Sequence, residues 1–427
     1  MNSKQMTVYI DNGSLDARLA SFYGADALDY QRGRYLDAID KFAAAYGEER
    51  EISLFSVSGR SELSGNHTDH NHGCVIAASI DLDIIAVASA REDSVIRVKS
   101  EGFSEDSVNF SEYTAPDESK FGTSASLVAG MCDAFAKNGH SVGGFDAYTV
   151  SNVLKGSGLS SSAAFEDMIG NILNHMYNDG AVDNVEIAKY AQYAENVFFG
   201  KPCGLMDQVA CAVGGIVTID FADPTTPVIE RLDVDMAQKG YRLCIVNTGG
   251  NHADLTDDYA SVPRDMKAVA AALGVSVLRE SDEERLVAAI PSLRESLGDR
   301  AILRSLHFFR ENKRVAEQVR ALKAGDIDSF FDGVLASGRS SFCYLQNVYT
   351  DKNPREQGLS LALCLADNYL GGKRGAHRVH GGGFAGTIQA FVHKDDVEGF
   401  RSVMDSAFGE GKCIVLRIRP EGAVRII

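Results

Sequence analysis

Lys155-Gly156-Ser157-Gly158-Leu159-Ser160-Ser161-Ser162-Ala163-Ala164 follows a strand-like Asp146-Ala147-Tyr148-Thr149-Val150 and opens a helix-like stretch that runs to Asn174. Strand, glycine- and serine-rich loop, then helix is the order that aims backbone N–H groups and the positive end of a helix dipole at a phosphate. No Gly-Lys-Ser/Thr closes the loop, so it is not a Walker A element, and its glycines lack the Rossmann spacing. The stretch therefore predicts a nucleotide held by a different glycine cradle. Two more glycine-punctuated patches flank it: Ser58-Gly59-Arg60 running into Ser64-Gly65-Asn66-His67-Thr68-Asp69, and Gly381-Gly382-Gly383-Phe384-Ala385-Gly386.

Outside these patches the chain reads as an ordinary globular protein. Its 427 residues exceed what one compact core organises and predict about two domains. A formal charge of −17 argues against a nucleic-acid partner, which needs clustered Lys and Arg. It leaves room for a nucleotide, whose recognition is local. The eight cysteines form no C-x-x-C pair, which suits thiols in a reducing compartment better than a disulfide framework or a zinc site. The first residues lack a basic segment followed by an apolar core, and Ile84 to Ala90 is too short to cross a bilayer. The expectation is a cytoplasmic protein without membrane contact.

Residues 1 to about 45 read as helical, an addition ahead of the main fold. Strands are expected at Ile52–Ser58, Asp83–Ala90, Ser94–Ser100, Gly214–Phe221, Tyr241–Asn247, Thr387–Val392 and Cys413–Arg419. Helices are expected at Ala125–Asn138, Ser161–Asn178, Val185–Phe199, Glu356–Tyr369 and Asp396–Phe408, with Asp254 to about Ala336 mostly helical. Strands and helices interleave without strict βαβ repetition, which favours an α+β fold. The turn-rich Asp223–Lys239 offers the domain boundary, giving units 1–235 and 236–427.

Further motifs fall in register with the three patches. They are Glu195 with Pro202-Cys203-Gly204-Leu205-Met206-Asp207-Gln208, Asn247 to Tyr259 with Arg264, and Arg304-x-x-His307-x-x-x-Glu311-Asn312-x-Arg314. Taken together the chain resembles the galactokinases, of the GHMP kinase superfamily that includes homoserine, mevalonate and phosphomevalonate kinases. The first patch is similar to that family's Gly-Arg…Gly-Glu-His-Thr-Asp-Tyr-Asn signature, the second to its Gly-x-Gly-Leu-Ser-Ser-Ser-Ala loop, the third to its Gly-Gly-Gly-Phe-Gly-Gly segment. The likeness runs from about residue 45 to the C-terminus. It implies a two-domain fold: an N-terminal domain resembling ribosomal protein S5 domain 2, a ferredoxin-like C-terminal domain, and an active site in the cleft between them.

The resemblance also implies roles. Asp207 is the base for the anomeric C1 hydroxyl and Arg60 the cation beside it. Gly156, Ser157, Gly158, Leu159, Ser160, Ser161 and Ser162 form the ATP loop, and Ser162 with Glu195 holds Mg²⁺. Asn66, His67, Asp69, Gly204 and Tyr259 map onto sugar contacts. Sugar phosphorylation needs in-line positioning, charge neutralisation and a proton acceptor, which this set supplies. The implied activity is an ATP-dependent sugar-1-kinase making α-galactose 1-phosphate, acting as a monomer or weak homo-oligomer.

Blander readings stand beside these roles. Asp207 in isolation reads as a helix cap, Arg60 as a surface ion pair and Glu195 as a solvated helix residue. The turn His67, Asp69, His70, His72 superficially suggests a transition-metal site, but its spacing matches no common zinc pattern. The departures from the family pattern lie mostly on the sugar side: Ser58 for proline, Glu62 for asparagine, Asn66 for a glutamate near C6, His70 and His72 for tyrosine and glycine, His380 for threonine, Ala385 for glycine. Neutral Asn66 predicts tolerance of sugars altered at C6, a uronic acid or a 6-deoxy sugar. A non-catalytic galactose and ATP sensor is a rival of a different class, and a kinase for a non-sugar alcohol is a third. The absence of Trp leaves the adenine wall without named residues.

Overall fold

A computed structural model describes residues 1–153, 158–249 and 255–427. Two sheets organise these residues. The larger contains β1 (Ser53–Ser64), β2 (Cys74–Ala90), β3 (Val95–Ser100), β4 (Glu105–Asn109), β5 (Phe145–Ser151), β6 (Ile216–Asp220), β7 (Val228–Leu232) and the terminal β12 (Val424–Arg425). Its order is β12-β1-β2-β5-β3-β4, with β6 and β7 continuing from the first half of β2. Of its described pairings only β3–β5 is parallel. The smaller sheet, β11-β8-β10-β9, is antiparallel and uses β8 (Tyr241–Asn247), β9 (Gly375–Val379), β10 (Thr387–His393) and β11 (Cys413–Leu416).

Both faces of the larger sheet are covered, and the alternation along its strands shows how. Phe55 and Val57 of β1, Ile84, Ala86 and Ala88 of β2, and Phe145 and Ala147 of β5 face the main core. That core is filled by α4 (Ser124–Lys137), α5 (Ser161–Tyr177), α6 (Asn184–Tyr193) and α7 (Met206–Val213). The intervening Leu54, Ile85, Val87, Tyr148 and Val150 face a second core built by α1 (Ser3–Asp11), α2 (Asp16–Tyr23) and α3 (Leu28–Tyr46). A period of two with both sets apolar is what a doubly covered strand requires. The N-terminal helices are therefore a layer of the fold rather than an addition to it.

A buried ion network fastens that layer. Asp83, wholly buried on β2, pairs with Arg34 of α3 at 2.5 Å and with Arg419 at 3.0 Å, and accepts from Tyr23 Oη and Ser56 Oγ. Burial pushes its carboxyl up, but the two guanidinium groups and the hydroxyls outweigh this and hold it below the ordinary range.

In the C-terminal half, α8 (Thr256–Ala272), α9 (Glu283–Ser296), α10 (Asp299–Lys323) and α11 (Ile327–Ser340) precede α12 (Gly358–Leu370) and α13 (Val397–Phe408), which cover one face of the smaller sheet. The other face adds Leu243, Ile245 and Phe391 to the main core and turns polar side chains onto the end of β1. Arg378 Nη1 and Gln389 Nε2 both donate to the Leu63 carbonyl at 3.1 Å, and Ser61 Oγ lies 3.1 Å from His380 Nε2. From α10, His307 Nε2 lies 2.9 Å from the Asn66 carbonyl, Glu311 accepts from Gly65 N, and Asn312 accepts from Cys74 N. His307, Glu311 and Asn312 of the motif thus support the 65–74 turn, His307 and Glu311 sharing a helix face by i, i+4 spacing, while Arg304 binds Leu345, Ser261 and Asp265.

Most sequence-expected elements lie within a few residues of their place. The exception that matters is β1, expected to end at Ser58, which continues to Ser64 through irregularities at Gly59 and Leu63. A bulge lets a strand turn a side chain without ending, and at Gly59 it also lets the glycine loop close in. A Cβ there would lie 2.9 Å from the Leu159 carbonyl.

Two measurements check this account. Asp83→Asn leaves the buried Arg34 and Arg419 without their anion and should cost about 3–5 kcal/mol in urea unfolding; a cost below about 1 kcal/mol would show that the layer is held by its apolar core alone. Burial lowers His307 to about 4 and His380 to about 3. The unfolded chain then takes up these protons first, near pH 6.5, so stability is lost as pH falls from there toward the folded values. The loss between pH 7 and 5 should be about 2 kcal/mol for each histidine, read from unfolding curves at the two pH values. A flat profile would remove both histidines from the buried set.

Candidate active site

Arg60 leaves the first β1 bulge and meets Asp207 in the first turn of α7. Nε donates to Oδ1 at 2.8 Å and Nη2 to Oδ2 at 2.6 Å, a bidentate fork. Nη1 of the same guanidinium donates to the Gly158 carbonyl, and the Arg60 backbone N–H donates to Leu159 O at 3.1 Å. Ser160, at φ +59 before α5, donates its hydroxyl to Asp207 Oδ2. Glycine loop, cation and carboxylate are thereby one unit, with about a third of the Asp207 side chain (34%) open to solvent. Burial raises the Asp207 carboxyl, but the Arg60 charge and the Arg60 and Ser160 hydrogen bonds overcome this and hold it below the usual carboxylate range.

Of the expected phosphate loop, Gly156 and Ser157 lie outside the described residues. Gly158, Leu159, Ser160, Ser161 and Ser162 lead into α5 as expected, though Ser160 turns its side chain to the carboxylate. Ser161 and Ser162 also border a cavity of about 520 Å³ whose walls include Phe103, Leu127, Asn152, Phe165 and Phe199.

Glu195 sits in a wide π turn, Ala194–Phe198, that follows α6 and packs closely on Gly130 of α4. Its carboxylate is 3% exposed as a residue and takes Lys201 Nζ and Gln208 Nε2, each at 2.9 Å. Gln208 also donates to Glu166 at 3.2 Å, and the second Glu166 oxygen has no partner. Burial and the neighbouring Glu195 push the Glu166 carboxyl up. Lys201 lies one residue before the Pro202-Cys203-Gly204 motif, and its charge also acts on Asp207.

The expected sugar residues gather around the third glycine patch. Asn66 Nδ2 donates to the Gly381 carbonyl at 2.8 Å, His67 Nε2 lies 2.9 Å from the Gly382 carbonyl, and Tyr259 Oη donates to the Gly383 carbonyl at 2.9 Å. Three successive glycine carbonyls are each held by one of the set. Asp69 stands by Gly204, where a Cβ would lie 3.0 Å from its Oδ2. Asn66 itself is brought to the site but not to its surface, being 0% exposed. Among the described residues the histidine-rich turn gathers no group of three metal-ligating side chains.

Sequence reasoning missed Glu62, Lys201, Arg378 and His380 as parts of this site. Glu62 and His380 were visible only as departures from a pattern, and nothing in the local sequence ties Arg378 to β1.

Residues 126–215 match the GHMP kinases N terminal domain, and residues 40–90 match the galactokinase galactose-binding signature. The chain is 32% identical over 375 residues to a galactokinase of Streptomyces coelicolor, covering 86% of this chain and 92% of that protein. It is 30% identical over 373 residues to one of Lactobacillus helveticus, with the same shares of each chain. Lactococcus lactis galactokinase complexed with galactose superposes with a TM-score of 0.74 at 25% identity, over 92% of this chain and 100% of that one. The Methanococcus jannaschii mevalonate kinase superposes at 0.60 with 15% identity, over 87% and 98%, and shares the fold. A chain this similar to those galactokinases over most of its length belongs to the galactokinase family of the GHMP kinases.

Proposed function

We propose that this chain transfers the γ-phosphate of ATP to the C1 hydroxyl of galactose, giving α-galactose 1-phosphate and ADP. The observation that carries the reading is the Arg60–Asp207 fork, anchored to the Gly158 carbonyl and open to solvent on the carboxylate side. The C1 oxygen forms a bond to the γ-phosphorus while the bond from that phosphorus to the β–γ bridging oxygen breaks, its electron pair leaving with ADP. The hydroxyl proton passes to Asp207. A carboxylate held below its ordinary range is a poor base for a free hydroxyl, so the transfer comes late, once bonding to phosphorus has acidified the oxygen. Arg60 keeps Asp207 ionised and stands next to the charge developing on the phosphoryl group.

Asp69, Gly204, His67 and Tyr259 read the rest of the sugar in this account. The nucleotide phosphates lie along the loop that ends in Ser162, and the adenine enters the cavity walled by Phe103, Phe165 and Phe199. Aromatic faces of that kind supply in this Trp-free chain the stacking surface that a base requires. Mg²⁺ fits the remaining chemistry: the Glu195 carboxylate stands beside Glu166, whose second oxygen has no partner among the described residues. Glu195, with Ser162 on the first turn of α5, would hold the ion, which when bound neutralises phosphate charge. Lys201 meanwhile balances Glu195 and contributes a second fixed cation. Residues 1–235 and 236–427, expected as an S5-like and a ferredoxin-like domain with this site in the cleft between them, act as two units with one correction: the C-terminal tail with Arg419 and β12 returns to the first, where β12 pairs β1. The chain works on its two small substrates with Mg²⁺, in the cytoplasm, where its eight free thiols persist.

A panel of free sugars with ATP, followed by ADP release, should give galactose the highest kcat/KM; a better non-sugar alcohol would overturn the reading. Asp207→Asn should lower kcat by about 10²–10⁴ with little change in sugar or ATP affinity. A variant keeping more than about a tenth of the wild-type kcat would place the proton acceptor elsewhere. Glu195→Gln should raise the Mg²⁺ concentration needed for half-maximal rate at fixed ATP, and an unchanged titration would remove Glu195 from the ion.

A further inference from the structure

Two side chains at the end of β1 occupy the reverse of the positions their chemistry suggests. Asn66, the residue whose neutral amide would relax a sugar site, is closed off. Its Nδ2 donates to the Gly381 carbonyl and to Glu62 Oε1, while its Oδ1 accepts from Asn347 Nδ2 at 2.8 Å and Ser341 Oγ at 3.1 Å. Two donors and two acceptor lone pairs are the whole capacity of a primary amide. No part of Asn66 remains for a ligand.

Glu62 is the opposite case. Oε1 accepts from Arg378 Nη2 at 2.9 Å and from Asn66 Nδ2 at 3.2 Å. Oε2 takes no hydrogen bond from any described residue, yet it is not among the sealed orphan atoms of the core, and 9% of the side chain reaches solvent. Glu62 stands two residues after Arg60 on a regular stretch of β1, so both side chains leave the same face, and its Oε1 is bonded to the Asn66 Nδ2 that also binds Gly381. The open oxygen therefore lies between the Arg60–Asp207 fork and the sugar turn. Burial pushes the Glu62 carboxyl up, opposed by the charges of Arg378, His67 and Arg60. Arg378 is wholly buried and needs the anion beside it, so Glu62 is fixed by one oxygen and presents the other.

We propose that Glu62 is a specificity-determining contact of the sugar site, its Oε2 accepting a hydrogen bond from a sugar hydroxyl other than the one phosphorylated. Asn66 and Arg378 act as positioning residues that hold the carboxylate. The proposal rests on the reading of this chain as a galactose kinase. Its consequence reverses what Asn66 suggests from sequence: a carboxylate facing the sugar repels an anionic substituent, so a uronic acid is excluded rather than tolerated.

The test is kcat/KM for galactose and its 2-, 3-, 4- and 6-deoxy analogues in the wild type and in Glu62→Gln. Glutamine keeps the acceptor for Arg378 and Asn66 but presents an amide donor where Oε2 stood. Wild type should lose about 10-fold or more on removal of one hydroxyl. In Glu62→Gln that one ratio should collapse to within about 3-fold while the other ratios hold. If Glu62 only neutralises Arg378, the variant will lower all five values by a common factor and leave every ratio intact, which overturns the proposal. Should the single variant fail to fold, Glu62→Gln with Arg378→Gln removes the unpaired buried charge and permits the same comparison. Wild-type turnover of galacturonate within about 10-fold of galactose would also overturn it. A wild type that ignores galactose but phosphorylates another sugar would refute the substrate, and the deoxy series of that sugar would then judge Glu62.

Discussion

The Arg60 guanidinium is the contact on which the rest of the site depends. One planar group closes a bidentate fork on Asp207 and also donates to the Gly158 carbonyl, so it fixes a strand, a helix start and a glycine loop at a single point. Only a rigid group with several donors in one plane can do this; lysine offers a point charge that could satisfy one partner at a time. The bulge at Gly59 serves that contact, because a side chain at this position would collide with the loop carbonyl. The cost of the arrangement is basicity, since the cation that keeps Asp207 charged also makes it a weaker acceptor.

Around this point the molecule is assembled from unlike parts by polar contacts to backbone. The carbonyls of Gly381, Gly382 and Gly383 are held by Asn66, His67 and Tyr259, while Leu63 receives Arg378 and Gln389. Side chains that bind backbone groups specify position more tightly than apolar packing, which tolerates sliding. The smaller sheet thus addresses the end of β1 through donors as well as through Leu243, Ile245, Ala376 and Phe391, which belong to the same apolar core as Val57 and Leu63. That explains why polar residues such as Ser61, Gln389 and His380 can be buried here without loss.

Much of the fold was legible because its signals are local. Gly139 marks a helix end, the apolar spacing of α4 gives its face, and β8 has the expected bounds, whereas α7, which ends at Gly214, was not expected. The strands that sequence did not show, β4, β7, β9 and β12, are short, and their segments are polar or interrupted, as in Glu105–Asn109 and Gly375–Val379. They exist because neighbours pair with them. The same division runs through the site. Asp207, Arg60 and the glycine loop carry strong local patterns, whereas Glu62 and Asn66 exchange exposure through partners 281 and 316 residues away. No window of sequence contains that information.

The terminal strand gives the assembly a direction in time. β1, which carries Arg60, has β2 on one side but receives its other neighbour only from Val424 and Arg425, and Arg425 reaches Ser53 across 372 residues. Pairing at such separation costs loop-closure entropy before any contact rewards it. A nascent chain can form α5 and its neighbours long before this, but the strand that aims Arg60 stays an open edge until residues 424 and 425 are available. Competence should therefore emerge in one late step, and the open edge of β1 is the place where a stalled or truncated chain is exposed to association with its own kind.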